Sequence, residues 1–372
     1  MSGPASRSID AQAAVFAMPR LRGVTRRRDI RPQLGERCLL HAGPPLSSDI
    51  LPQALRNAAV QALIFEGMSA EQAALAVDRR EIELCPAQDH GVVTPLAQVV
   101  SASMPLFVVG DDRHQAYAPI AEGAPPALRF GARDPACVQN LKWHSHWAFA
   151  ELRPKLAAAP LAIAALVARA LAEGDDCHAR TGGANAALRE ALAPLSPGYD
   201  EAIAANANFV LPVLMAASAW VLAETRHSIA AVGGNGQRFG LRLAGQSQWR
   251  TCLAEPPVGV RLPDQEASPV LGAVGDSPVI DFCGLGGQSL AWAPELVSLW
   301  AGQLPSDWGD RAAAVTDPAT GLVCRHRVAA SGQVPLVHLA MVGGGPAGGL
   351  VGRGFYAPDL GIFLADHEPQ AG

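Results

Sequence analysis

Short apolar runs, helical apolar stripes and glycine-broken segments follow one another along this chain, and each predicts a different kind of element. Residues 38–40 are a compact apolar run ending in His41-Ala-Gly-Pro-Pro45, the signature of a strand entering a sharp loop. Ile50, Leu51, Ala54, Leu55, Ala58 and Ala62 recur at helical spacing, so a helix is predicted over 49–65. Ser69-Ala-Glu-Gln72 is a capping box and opens a second helix carrying Ala73, Ala74 and Val77. Residues 81–85, 105–109 and 279–283 are strand-like. Residues 155–230 are alanine-rich and helical in pattern, and 231–365 break into short apolar runs between glycine turns. The pattern predicts a mixed α/β fold in which two glycine-loop α/β regions, 36–150 and 231–365, surround a helical middle, 151–230. Residues 1–35 read as a tail. No tandem repeat or heptad array interrupts this order.

Composition narrows the function classes. The chain has 372 residues, 49% hydrophobic and 17% charged, enough to bury a large core. A net charge of −5 supplies no basic field for nucleic acid or an anionic membrane surface, and 5% aromatics supply no base-stacking platform. The apolar stretches at 161–171 and 209–223 are shorter than the ~20 residues of a membrane span and predict buried helices. The N-terminus has no long apolar core of a secretory signal, so the cytoplasm is the expected location. Seven cysteines are scattered with no C-x-x-C pair, which predicts free thiols and no structural zinc. Lys142 and Lys155 are the only lysines, so anion binding would fall to arginine forks and backbone N–H groups.

The densest chemistry lies in Gly174-Asp-Asp-Cys-His-Ala-Arg180. On a helix, Asp175 and His178 (i, i+3) share a face, as do Asp176 and Arg180 (i, i+4). An Asp can fix the tautomer of His178 and make it a general base. The same letters also fit a helix N-cap with a solvated first turn. Gly233-Gly-Asn235-Gly236, followed by Arg238, fits either an Asn-Gly hairpin or an anion loop. Gly275-Asp276-Ser277 lacks the nucleophile-elbow pattern, so Ser277 reads as a cap or substrate contact. Gly343–Gly349 carries the letters of a dinucleotide fingerprint without room for the fold, and reads as a surface loop. His41 and Asp89-His90 sit at predicted strand ends. His144 and His146 would share one face of a strand, and read with Trp143 and Trp147 as packing or self-association residues.

Taken together, these pieces resemble the AllG/YlbE family, which travels with FdrA-type proteins and includes YahG-like paralogues. The resemblance runs over residues 38–360. It rests on His41-Ala-Gly-Pro-Pro45, Phe65-Glu-Gly67, Ser103-Met-Pro105, Leu128-Arg-Phe-Gly131, the 174–180 segment, Asn208-Phe209, Asn235-Gly236 leading to Phe239-Gly240, Gly275-Asp-Ser277 and Gly284-Leu-Gly-Gly287. It implies one subunit of a multi-component carbamoyltransferase. FdrA-like (AllF) and AllH-like chains would be its partners. Oxamate and carbamoyl phosphate stand on one side of the reaction, and oxalurate and phosphate on the other, in allantoin or purine nitrogen catabolism. Carried onto this chain, His178, Asp175 and Asp176 become the expected catalytic group. Arg180, Asn185, Asn208, Asn235, Gly236, Arg238, Asp276, Ser277, Gly284, Gly286, Gly287 and His41 become the expected substrate and phosphate contacts. No cofactor is implied, and a divalent ion is left open. Ahead of Asn235 the chain carries Val232-Gly-Gly234, where relatives tend to carry Met-Ala-Arg. Two other readings stand beside this one: a noncatalytic scaffold for an FdrA-like partner, and a stand-alone amidohydrolase acting on ureido or cyclic amide compounds.

Overall fold

The computed structural model describes residues 7–47, 50–120, 123, 125–225 and 228–364. Four small sheets and a set of helices build a mixed α/β fold. The first sheet has the order β5-β4-β1-β6, formed by β1 (Arg20–Arg26), β4 (Pro105–Gly110), β5 (Gln115–Pro119) and β6 (Leu161–Ala162). β2 (Cys38–His41) and β3 (Glu83–Pro86) form a parallel pair. β7 (Ile229–Asn235), β8 (Arg238–Leu243), β9 (Trp249–Leu253) and β11 (Val274–Gly275) make an antiparallel sheet ordered β11-β7-β8-β9. β10 (Val258–Arg261), β12 (Val337–Val342) and β13 (Leu350–Tyr356) make the last, ordered β10-β13-β12.

Local sequence chemistry explains most of these elements. The helix Gln53–Phe65 buries Ala54, Leu55, Ala58 and Ala62, the stripe its spacing predicts. The capping box of Ser69 and Gln72 forms and opens the helix Ala70–Asp78. The helix Leu211–Thr225 is apolar on every side and packs against β4, β5 and β7. With the turn before it, the run Ala207–Thr225 is long and apolar enough to cross a membrane, but 67% of it is buried inside the protein. An all-round apolar helix in that setting is a core helix. Asn235-Gly236 resolves as a hairpin: Gly236 has φ +85°, and Asn235 Oδ1 accepts from the N–H of Gln237 and Arg238. Gly234 has no room for a side chain, since a Cβ there would lie 2.1 Å from the Ala273 carbonyl oxygen.

Three expectations are corrected. Within residues 1–35, the described part is no tail: β1 lies between β4 and β6, and Phe16 and Leu21 are fully buried. A register shift between Leu21 and Gly23 breaks the strict alternation, leaving Leu21 and Val24 as the buried pair among arginines. That spacing hides a strand. The 279–283 run is the helix Pro278–Phe282, because Pro278 starts a turn and a short apolar run carries no period of its own. His144 and His146 lie on the helix Ala136–Trp147, where His144 is buried beside Tyr199 and Phe209. The largest core draws on residues from Ala13 to Phe363, so the N-terminal segment and the C-terminal turn share one interior. Replacing Phe16 with Ala should therefore cost about 3–5 kcal/mol, the range for emptying a buried aromatic site. Urea denaturation would check this, and an unchanged midpoint would show that the segment is dispensable.

Candidate active site

A cavity of about 280 Å³ opens where several distant parts of the chain meet. The 174–180 segment, the turn at Ser277, β12 and β13 each contribute to its wall. Two imidazoles face into it, His178 and His338, with ring centroids 6.2 Å apart. Each is held from behind by its own carboxylate. His178 Nδ1 donates to Asp281 Oδ2 at 2.7 Å, and His338 Nδ1 donates to Asp176 Oδ2 at 2.5 Å. Both carboxylates are fully buried. With Nδ1 engaged in each ring, Nε2 is the nitrogen left for a ligand. His338 Nε2 is buried and has no hydrogen-bond partner.

The backbone builds this arrangement. Residues 174–181 are a loop between the helices Ile163–Ala172 and Gly182–Leu192, not a helix. Cys177 takes φ +67°, a left-handed conformation that branched and bulky residues avoid, and this turns the chain between Asp176 and His178. Asp176 closes the turn by accepting from the N–H of Ala179 (3.0 Å) and Arg180 (2.7 Å). The second carboxylate is tied just as firmly. Asp281 Oδ1 accepts from the N–H of Gly287 (2.8 Å) and of His338 (3.0 Å). Gly286 donates its N–H to the Asp176 carbonyl at 2.8 Å. A Cβ on Gly286 would lie 2.1 Å from Asp281 Oδ1, so glycine is required there.

Electrostatics follow from the packing. Burial by itself pulls the His178 imidazole down, but the charge and hydrogen bond of Asp281, with the charge of Asp176, outweigh it and hold His178 above the ordinary histidine value. For Asp176, burial pushes up, while His338, His178 and the Arg180 N–H prevail and hold it below the usual carboxylate range.

The expected residues divide into separate groups. Asp176, His178, Ser277 and Asn208 gather at the cavity or directly behind it. Asp175 does not orient His178. Its carboxylate accepts from the N–H of Gly183 at the start of the next helix and from Arg180 Nε, which is the capping role. Arg180 is engaged with Asp175 and Glu295. Asn185 is a strut, donating to the Ile203 carbonyl. Asn208 accepts from Thr181 Oγ1. Gly284, Gly286 and Gly287 do not form an anion loop. Gly284 is pressed against the Gly321 carbonyl, and the N–H groups of Gly286 and Gly287 serve Asp176 and Asp281.

His41, Asn235, Gly236, Arg238 and Asp276 belong to a second cluster around the β7–β8 hairpin. Asp276 Oδ1 accepts from Gly43 N and Gln88 Nε2, and Oδ2 from Thr94 N and Oγ1. Burial pushes Asp276 up to about 7 against the pull of those donors. Asn235 Nδ2 donates to the Pro44 carbonyl. His41 is wholly enclosed, and burial pulls it down to about 4, so it is neutral at pH 7. This cluster binds the 41–45 loop to the third sheet. Arg238 is not in the cavity wall.

Sequence reasoning missed Asp281, His338, Asn206, Arg129 and Arg353. The last four line the cavity, and Asp281 lies behind it. Two signals were present: Asp281 is a lone charge in an apolar run, and His338 is a lone imidazole in Val337–Val342. Arg129 donates to the Gly123 carbonyl and stacks on Phe130. Arg353 is the exposed residue of β13.

Residues 82–277 match a family described as "Oxamate carbamoyltransferase subunit AllG". Over 383 aligned positions the chain is 27% identical to the uncharacterized protein YahG of Escherichia coli (strain K12), covering 93% of this chain and 81% of that one. It is 29% identical over 285 positions to oxamate carbamoyltransferase subunit AllG of the same organism, covering 69% and 66%. A crystal structure of a conserved protein of unknown function from Enterococcus faecalis V583 shares the fold, with TM-score 0.85, 23% identity, and 95% and 94% of the two chains covered.

The dyad geometry has a direct test. In Asp281→Asn, the His178 imidazole should titrate lower than in wild type, because its charged partner is gone. The protein should lose about 1–3 kcal/mol, since an amide N–H₂ would face donors. NMR titration of the ring would measure the first effect. An unshifted His178 would refute the pairing.

Proposed function

The chain belongs to the AllG family, and from that premise we propose that it is a subunit of a multi-component carbamoyltransferase. It would move a carbamoyl group between phosphate and an amide of the oxamate/oxalurate kind, in nitrogen catabolism in the cytoplasm. FdrA-like (AllF) and AllH-like chains would complete the machinery. The observation that carries this reading is the pair of buried Asp–His dyads facing one cavity rimmed by Arg353.

The chemistry asks for what that cavity offers. In the forward direction the amide nitrogen of the acceptor attacks the carbamoyl carbon. The new C–N bond forms, the C–O bond to phosphate breaks, and the nitrogen loses a proton. His178 Nε2 is suited to take that proton, since Asp281 fixes its tautomer and stabilises the imidazolium. In reverse, the same imidazolium returns the proton to the departing amide nitrogen. His338, its ring oriented by Asp176, presents Nε2 toward the developing oxyanion or the leaving phosphate, to which its imidazolium form would donate. Arg353 offers a fork for the acceptor carboxylate. Asn206 Nδ2, buried at the cavity without a partner, is a further donor for an amide carbonyl.

Phosphorolysis of oxalurate should form carbamoyl phosphate when this chain is assembled with its partner subunits. His178→Gln should lower kcat roughly 10²–10⁴-fold with assembly retained. Wild-type turnover in that variant would leave the chain a scaffold. Phosphate-independent turnover by the isolated chain would instead make it an amidohydrolase.

A further inference from the structure

Apart from the cavity, one cluster of reactive side chains has no role in the reading above. Strands β2 and β3 run parallel, with Cys38 opposite Glu83 and Leu40 opposite Cys85. Residues two apart on a strand share a face, so Glu83 and Cys85 lie on one side and Cys38 joins them from the neighbouring strand. The Sγ atoms of Cys38 and Cys85 are 3.6 Å apart. Those two sulfurs and a carboxylate oxygen of Glu83 all lie within 4.8 Å of one another. Two thiolates on a tetrahedral zinc, with Zn–S bonds of about 2.3 Å, sit about 3.75 Å apart. The sulfurs are therefore already spaced as two ligands of one ion.

A buried cation flanks this cluster. Arg27 is fully buried, and its Nε has no hydrogen-bond partner. Its outer nitrogens donate to the carbonyls of Leu34 and Gly35. The Gly35 carbonyl also accepts from the Cys38 N–H, which sets the guanidinium beside the cluster. A divalent ion held by two thiolates and one carboxylate carries a net charge of −1, which a neighbouring guanidinium complements. Cys38 is buried, Cys85 is half-buried and Glu83 is exposed, so the cluster reaches solvent on its Glu83 side.

We propose that Cys38, Cys85 and Glu83 form a binding site for a borderline-soft divalent metal of the zinc class, clasping β2 to β3. Thiolate ligands select such ions over calcium or magnesium. The clasp sits at the start of the strand that leads through His41 to Gly43 and the Asp276 carboxylate. Metal binding would stiffen that connection without entering the cavity.

The test uses the full chain, reduced and stripped of metal with a chelator, and titrated with Co²⁺. One equivalent should produce a thiolate-to-cobalt charge-transfer band, displaceable by Zn²⁺, and the thermal midpoint should rise. Cys38→Ser and Cys85→Ser should each abolish the band. Glu83→Gln, at the surface and safe for folding, should keep the band with affinity about tenfold weaker. A folded protein with no band, or a band that survives both serine variants, would overturn the site.

Discussion

The buried carboxylate of Asp281 is the interaction on which the cavity depends. One oxygen accepts from His178, and the other accepts from the backbone N–H of Gly287 and of His338. Three segments distant in sequence are thereby set in one geometry. Burying a carboxylate without such donors would leave its oxygens unpaired, at a cost on the order of several kcal/mol. With them, it both fixes the fold around the cavity and tunes the imidazole that faces it. The same carboxylate explains the glycine at 286, since any side chain there would collide with it.

Asp176 plays the matching part from the other side. It accepts from His338 and from the backbone of its own turn, and its carbonyl accepts from Gly286 N–H and Ser289 Oγ. The two dyads are cross-wired: the loop that carries His178 also carries the partner of His338. The Asp281 oxygen that receives the backbone of His338 belongs to the partner of His178. A displacement of either loop would disturb both imidazoles. That coupling is a reason for the strained backbone at Cys177, whose left-handed conformation costs of order 1–3 kcal/mol. Asp276 forms a separate hub that anchors the 41–45 loop, and the neighbouring Ser277 brings that hub to the cavity wall.

Much of this was legible in the sequence, and what was not has a physical cause. Spacing found the Gln53–Phe65 helix, the Ser69 capping box and the segment holding Asp176 and His178, because each is a local pattern. Local spacing also mispaired that segment. It matched Asp175 to His178 by helical geometry, whereas the chain turns at Cys177 and His178 finds its acid 103 positions away. The acid of His338 lies 162 positions away, beyond any periodicity. The glycine motifs were visible as letters. Their work, admitting backbone donors to buried carboxylates, appears only once those carboxylates have places.

In this arrangement the two dyads act on one bound substrate. A double-mutant cycle on turnover by the assembled complex tests it most directly, using His178→Gln, His338→Gln and the pair together. Joint action gives strong non-additivity, with the double variant within about threefold of the slower single variant. Losses that simply multiply would mean that the two imidazoles act independently, and would contradict it.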